Sequence, residues 1–237
     1  YVEKCKEAFE DLIKHLIGSS SMNKEQLLHF LQILQKQVMP NVKSPLILAN
    51  FLLNLFEKDS VSDVGIWALS NLFFLIVKHS LEYPGYYDKL YKIMKTELHS
   101  NEQNLLKSES KDKFFKLLEN SFRSSKVGAT ISASFLKVFA RICLKAPVED
   151  ILWFQSLIFN MLKKDPVCEG MIHEPKVAES VKDPYQSDVS DPKFSKAINS
   201  KLWELRSLKN HYCSEIRELS AAFEDFPTAN PFNLNDF

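Results

Sequence analysis

Along most of the chain, apolar residues return every three or four positions, the period of a helix buried on one side. Val2, Cys5, Phe9, Leu12, Ile13 and Leu16 form the first row, and Gly18 with the serines after it ends that helix. Asn23 followed by Gln26 has the form of a capping box, and Leu27, Leu31, Leu34 and Val38 carry the stripe on to Met39-Pro40. Ser44-Pro45 offers another start, with proline at a first helical position where no N–H is needed, and predicts a helix over 45–56. Ser60 with Asp63 opens a longer one to Val77, closed by the Tyr83-Pro84-Gly85 turn. A further helix is predicted over 86–94, and residues 97–110 read as a polar, mobile connection. Helices resume over 111–122, 130–144 and 147–162, the last apolar nearly all round and expected at the centre of a core. No stretch alternates cleanly enough to predict a strand.

Beyond Lys163 the pattern breaks. Pro166, Pro175, Pro184 and Pro192 arrive among aspartates and serines, and three of the four directly follow Asp. A proline disfavours the α region for the residue before it, so extended chain is expected here. Helical periodicity returns over 198–210 and 214–223, and 226–237 carries no packing pattern of its own. Three parts follow: a helical-repeat core over 1–163, an Asp/Pro-rich strap or loop over 164–199, and C-terminal helices with a tail over 200–237. The last part is expected to pack on the core or on a partner. The fold class is all-α, an irregular HEAT/armadillo-like stack of antiparallel helices.

Composition narrows the function. The 237 residues carry 30 Lys+Arg against 30 Asp+Glu, which removes the strongly basic balance of a free-standing nucleic-acid binder. Only 5 Gly stand beside 18 Phe, and the glycines are isolated, so no GxGxxG turn or GKS/GKT loop is present to cradle phosphate. Cys5, Cys143, Cys168 and Cys213 form no CxxC pair and read as reduced thiols. His15, His29, His79, His99, His173 and His211 show no HxxxH spacing. His211 and Cys213 lie two apart without a third ligand nearby, so no metal or cofactor is expected. Cys143, beside Ile142, reads as core and not as a nucleophile. Ser124-Ser125-Lys126 reads as a helix cap before an anion site. The chain starts without Met inside an amphipathic pattern, which predicts a fragment of a soluble, intracellular protein. No stretch is long enough to span a membrane.

Two basic rows have a pattern of their own. Lys137, Arg141 and Lys145 sit four apart on one predicted helix, and Lys89, Lys92 and Lys95 three apart on another. Each is either a solvated face or a track for a phosphate backbone, the first row being the candidate rRNA contact. Trp67 and Trp153 belong to apolar helices and read as core. Trp203 follows the strap, where an amphipathic ring either folds back into the core or anchors an interface.

The segment Ala68-Leu69-Ser70-Asn71-Leu72-Phe73-Phe74-Leu75-Ile76, followed by Lys78-His79-Ser80-Leu81-Glu82-Tyr83-Pro84, resembles the nucleolar complex protein 4 family, a branch of the CCAAT-binding-factor family. Tyr86 to Tyr91, Asp165-Pro166-Val167-Cys168, Asp183-Pro184-Tyr185, Asp191-Pro192, Ser200 to Leu205 and Lys209-Asn210-His211-Tyr212 continue the resemblance in order. It implies a non-enzymatic factor of the nucleus and nucleolus, acting in small-subunit ribosome maturation and rRNA processing. It further implies pairing with nucleolar protein 14 on a pre-ribosomal particle containing pre-rRNA, with no membrane or small-molecule substrate. Tyr185, Trp203, Glu204 and Tyr212 are the candidate partner-binding residues, with a strap across a groove of the stack as the plainer reading of Tyr185. The alternative is a helical-repeat transport or cargo adaptor, because fold alone does not fix function.

Overall fold

A computed structural model describes residues 2–18, 22–100, 107–123, 127–173 and 183–237. Its helices in chain order are α1 (Val2–Gly18), α2 (Lys24–Ile33), α3 (Ala49–Lys58), α4 (Asp63–His79) and α5 (Tyr86–His99). They continue with α6 (Lys111–Arg123), α7 (Ala129–Cys143), α8 (Val148–Lys164), α9 (Trp203–Leu208) and α10 (Ser214–Ala221). No strand occurs among the described residues, and neighbouring helices stack on each other as the all-α reading expects. Among the described residues no helix is long and apolar enough to cross a membrane.

The chain divides into two compact units, Tyr1–Pro84 with Lys107–Ser121, and Gly85–Leu106 with Phe122–Phe237. The expected boundary at Lys163 therefore falls inside the second unit. Within that unit, residues far apart in the chain close one core.

In the first unit, Asn23 caps α2 as predicted: its side chain accepts from the Gln26 amide at 2.8 Å, and Gln26 Oε1 accepts from the Asn23 amide at 3.1 Å. The helix then widens into a π turn over Leu34–Val38 before Pro40 stops it. Ser44 does not cap. Its amide and that of Lys43 donate to the Glu10 carboxylate at 3.1 Å each, and Pro45–Leu48 forms a 3₁₀ turn leading into α3. The cap of α4 is Ser62, not Ser60, its hydroxyl accepting from the Gly65 amide at 3.2 Å. Gly65 is required there, since a Cβ would lie 2.1 Å from the Asp59 carbonyl oxygen. Trp67 is only half-buried, with the Lys113 ammonium 4.5 Å from its ring centre. Asn71 is buried and donates to the carbonyls of Leu31 at 3.0 Å and Trp67 at 2.8 Å, which ties α4 to α2.

In the second unit, α7 is buried nearly all round, and α5, α8 and α9 pack against it. Its centre is aromatic: Phe135 meets Tyr91 at 5.4 Å and Phe122 at 4.7 Å, and Phe139 meets Phe154 at 5.4 Å. Such aromatic pairs add about 0.5–1.5 kcal/mol each beyond the burial of their area. Helix α5 runs to His99, past the predicted end at Met94, and Glu97 is buried, so the polar connection is shorter than expected. Residues 101–106 of that connection and Ser124-Ser125-Lys126 lie outside the described residues. Of the 164–199 region, residues 174–182 lie outside the described residues, and the described part includes 3₁₀ turns at Pro166–Met171, Pro192–Phe194 and Ala197–Asn199. The tail packs within the second unit although it carries no helical period of its own. Phe226 and Phe232 meet Phe159 at 5.0 and 4.9 Å, and Asn160 exchanges two 2.8 Å hydrogen bonds with the Phe232 backbone.

Candidate functional site

Two segments of the second unit converge on one face of α7. Residues 183–199 run across the helix as a strap, and α9 follows directly. Ser134 of α7 makes hydrogen bonds to the Pro192 carbonyl at 2.5 Å and the Ser195 hydroxyl at 2.7 Å. Beside it the Gln186 amide donates to the Ser195 carbonyl at 2.8 Å, folding the strap upon itself.

One turn further along α7 stands Lys137, whose side chain is 0% exposed. Its ammonium donates to the Lys201 carbonyl at 2.6 Å and lies 2.9 and 3.0 Å from the two Glu204 carboxylate oxygens. Asp183 Oδ2 is 3.0 Å away on another side. Arg141, the next cation on the same face, reaches Glu204 Oε1 at 3.3 Å and Asp183 Oδ2 at 3.6 Å. Two cations thus meet two carboxylates, and the cluster is electrically balanced. Isolated, each buried ion would lose several kcal/mol of hydration, so all four must be in place together.

Aromatic rings close the cluster. The Arg141 guanidinium lies 4.5 Å from the Tyr185 ring centre, and the Tyr185 and Tyr91 hydroxyls share a 2.9 Å hydrogen bond. Burial pushes both tyrosine hydroxyls up. Burial also pushes the Asp183 carboxyl up, but the Ser200 hydroxyl, the Tyr185 amide and the Lys137 ammonium outweigh it and hold the group below its ordinary value. The Trp203 indole N–H donates to Asp183 Oδ2 at 3.4 Å, and its ring lies 5.5 Å from the Lys137 ammonium.

This geometry corrects the solvent-facing reading of the α7 row. Lys137 is wholly internal and Arg141 largely paired, so neither lies open to a phosphate backbone; Lys145 is exposed, with its ammonium 3.4 Å from the Leu98 carbonyl. Glu204 and Tyr185 are likewise turned inward, and Tyr185 is the strap residue of the two readings offered for it. Trp203 did not go into the core: it is 47% exposed, and Tyr212, stacked on His211 at 4.4 Å, is 82% exposed. Asp183 and Tyr91, which complete the cluster, were not singled out from the sequence, nor was the exposed Phe194. A charge inside an otherwise apolar helix was the available signal for the cluster, since Phe135, Leu136, Val138, Phe139 and Ala140 surround Lys137. Among the described residues no three His, Cys, Asp or Glu side chains are placed to hold a metal ion.

The family model described as "CBF/Mak21 family" matches residues 65–220, well over half of the chain and all of this cluster. The chain belongs to the CBF/Mak21 family. Within the CBF/Mak21 family it is similar to the mouse protein named nucleolar complex protein 4 homolog, 32% identical over 229 residues, covering 93% of this chain and 40% of that protein. Nucleolar complex protein 4 of Saccharomyces cerevisiae is 30% identical over 256 residues, covering 99% of this chain and 45% of that protein. An uncharacterized Schizosaccharomyces pombe protein is 36% identical over 207 residues, covering 87% and 40%. The chain therefore spans less than half the length of these relatives. The resemblance carried by residues 68–84 and 183–212 is borne out, and the structure brings its Asp183-Pro184-Tyr185 and Leu202-Trp203-Glu204-Leu205 motifs together on α7.

Proposed function

We propose that the chain is part of a non-enzymatic nucleolar factor of ribosome biogenesis that works as a scaffold. Its finer role is maturation of the small ribosomal subunit, with nucleolar protein 14 as the protein partner. The family match across residues 65–220, together with relatives named nucleolar complex protein 4, is the observation that carries this reading. The charge cluster suits it, because two buried ions, paired with each other and with two partly exposed ones, hold the adjoining surface rigid. Trp203 and Tyr212 stand exposed beside that rigid element and are the partner contacts in this reading, being amphipathic rings of the kind enriched at interfaces.

Affinity purification of the tagged protein from cells at low and high salt tests the proposal. Co-recovery of nucleolar protein 14 and small-subunit precursor RNA is expected, and Trp203→Ala with Tyr212→Ala should reduce the protein partner's recovery. Recovery of transport machinery alone would reject the reading in favour of a cargo adaptor.

A further inference from the structure

Away from the charge cluster, the second unit carries a cleft of about 620 Å³ between one face of α5 and residues 187–190 of the strap. Lys92, Lys95 and His99 line it from the helix, at spacings of three and four that place them on a single face. Ser187 and Ser190 line the opposite wall, and Asp188 is the one carboxylate among the lining residues. Two ammonium groups and an imidazole thus stand against one acid, in a space of the size that ligand sites occupy, roughly 300–1,000 Å³. Lys95 is fixed in position, donating to the Val189 carbonyl at 3.0 Å. Its partial burial lowers its pKa against the pull of Asp188, so an arriving anion would offset a desolvation already present. Past the end of α5, the exposed Lys145 bonds the Leu98 carbonyl and extends the row of cations beyond His99.

We propose that this cleft holds the sugar–phosphate backbone of an RNA strand, with Lys92 and Lys95 meeting phosphate oxygens and His99 and Lys145 continuing the contact. The inference rests on the reading that the chain works on a pre-ribosomal particle. Apart from His99 the lining residues offer no ring on which bases could stack, so the contact is to backbone and independent of sequence. Of the two basic rows in the sequence, the α5 row contributes Lys92 and Lys95, and the α7 row only its last member.

The test is fluorescence anisotropy of a labelled, unstructured RNA oligonucleotide with the intact protein at several salt concentrations. Each single-strand phosphate contact adds about 0.7 to the slope of log affinity against log salt, equivalent to about fivefold in affinity at 0.1 M salt. Lys92→Gln should remove one such increment, and Lys92→Gln with His99→Gln should bind weaker still. Asp188→Asn should bind RNA more tightly than the parent. Opposite signs from two walls of one cleft are not expected from a general loss of structure. An unchanged slope in Lys92→Gln, no gain in Asp188→Asn, or stronger competition by a phosphoserine peptide of equal charge would each overturn the proposal. The assay contains no other assembly factor, so its failure leaves the scaffold reading standing, and a failed purification from cells leaves the measured cleft standing.

Discussion

Replacing Lys137 by Met removes one charge from a side chain with no exposed surface. The methionine occupies similar volume, so the change isolates the charge and does not open a cavity. Glu204, also 0% exposed, would then keep only Arg141 at 3.3 Å, and Asp183 would lose its closest cation, at 3.0 Å. Breaking a buried pair from one side costs about 3–5 kcal/mol, because the remaining ion stays buried without compensation. For a chain of this size that is a fall in Tm of about 6–20 °C. Urea unfolding followed by circular dichroism measures the loss. Glu204→Gln in the Lys137→Met background neutralises the orphaned acid, so the double variant should lose less than the two single losses combined, by about 1–3 kcal/mol. A Lys137→Met variant within about 0.5 kcal/mol of the parent, the ordinary range for a surface substitution, would refute the argument. So would a lowered salt slope for RNA binding, since it would return Lys137 to the surface.

The cluster also predicts a pH dependence. Asp183 titrates lower in the folded chain than the unfolded value of about 3.9, so its contribution to stability is full above that value and lost as pH falls through the lower folded one. The stability gap between the parent and Asp183→Asn should be constant near neutrality and shrink below about pH 4; a gap that widens on acidification contradicts this. Burial pushes the Cys143 thiol up and the Cys168 thiol up to about 12, whereas Cys5 is exposed and Cys213 half-buried. Titration with a thiol-specific chromophore should therefore find Cys5 and Cys213 reactive in the native protein, with the other two waiting for denaturant; rapid labelling of a variant lacking Cys5 and Cys213 would contradict it. Gly65→Ala should destabilise by about 1–3 kcal/mol, because the new methyl meets the Asp59 carbonyl and not a movable side chain. Unchanged thermal unfolding would show that the 59–62 turn gives way freely.

Local features were legible in the sequence. Asn23 and Gln26 cap α2 because both partners lie within one turn, and the period of α8 identified a central helix because burial on all sides leaves no polar stripe. The Lys137 reading failed for the opposite reason. Four-residue spacing among Lys137, Arg141 and Lys145 describes a face without saying what covers it, and the covering acid is 67 positions away. Glu204 carried the complementary signal, a single acid between Trp203 and Leu205, but neither residue names its mate. The residues by which the tail packs were not legible because Pro227 and Pro231 interrupt any helical period, while Phe226 and Phe232 pack on Phe159 without needing one.

That separation of 67 positions between Lys137 and Glu204 also has a meaning in time. At translation speeds of about 5–20 residues per second, the ribosome adds the acid roughly 3–13 s after the lysine. Until Asp183 and then Glu204 are made, the nascent helix holds an ammonium group in the middle of its greasiest stretch without the counterions of the cluster. It must stay hydrated or shielded by a chaperone until the 204 region emerges, so this half of the molecule matures late and as a whole. A premature stop before Glu204 would accordingly leave the second unit with a buried lysine that has lost its fully buried partner, and not a shortened but serviceable version of that unit.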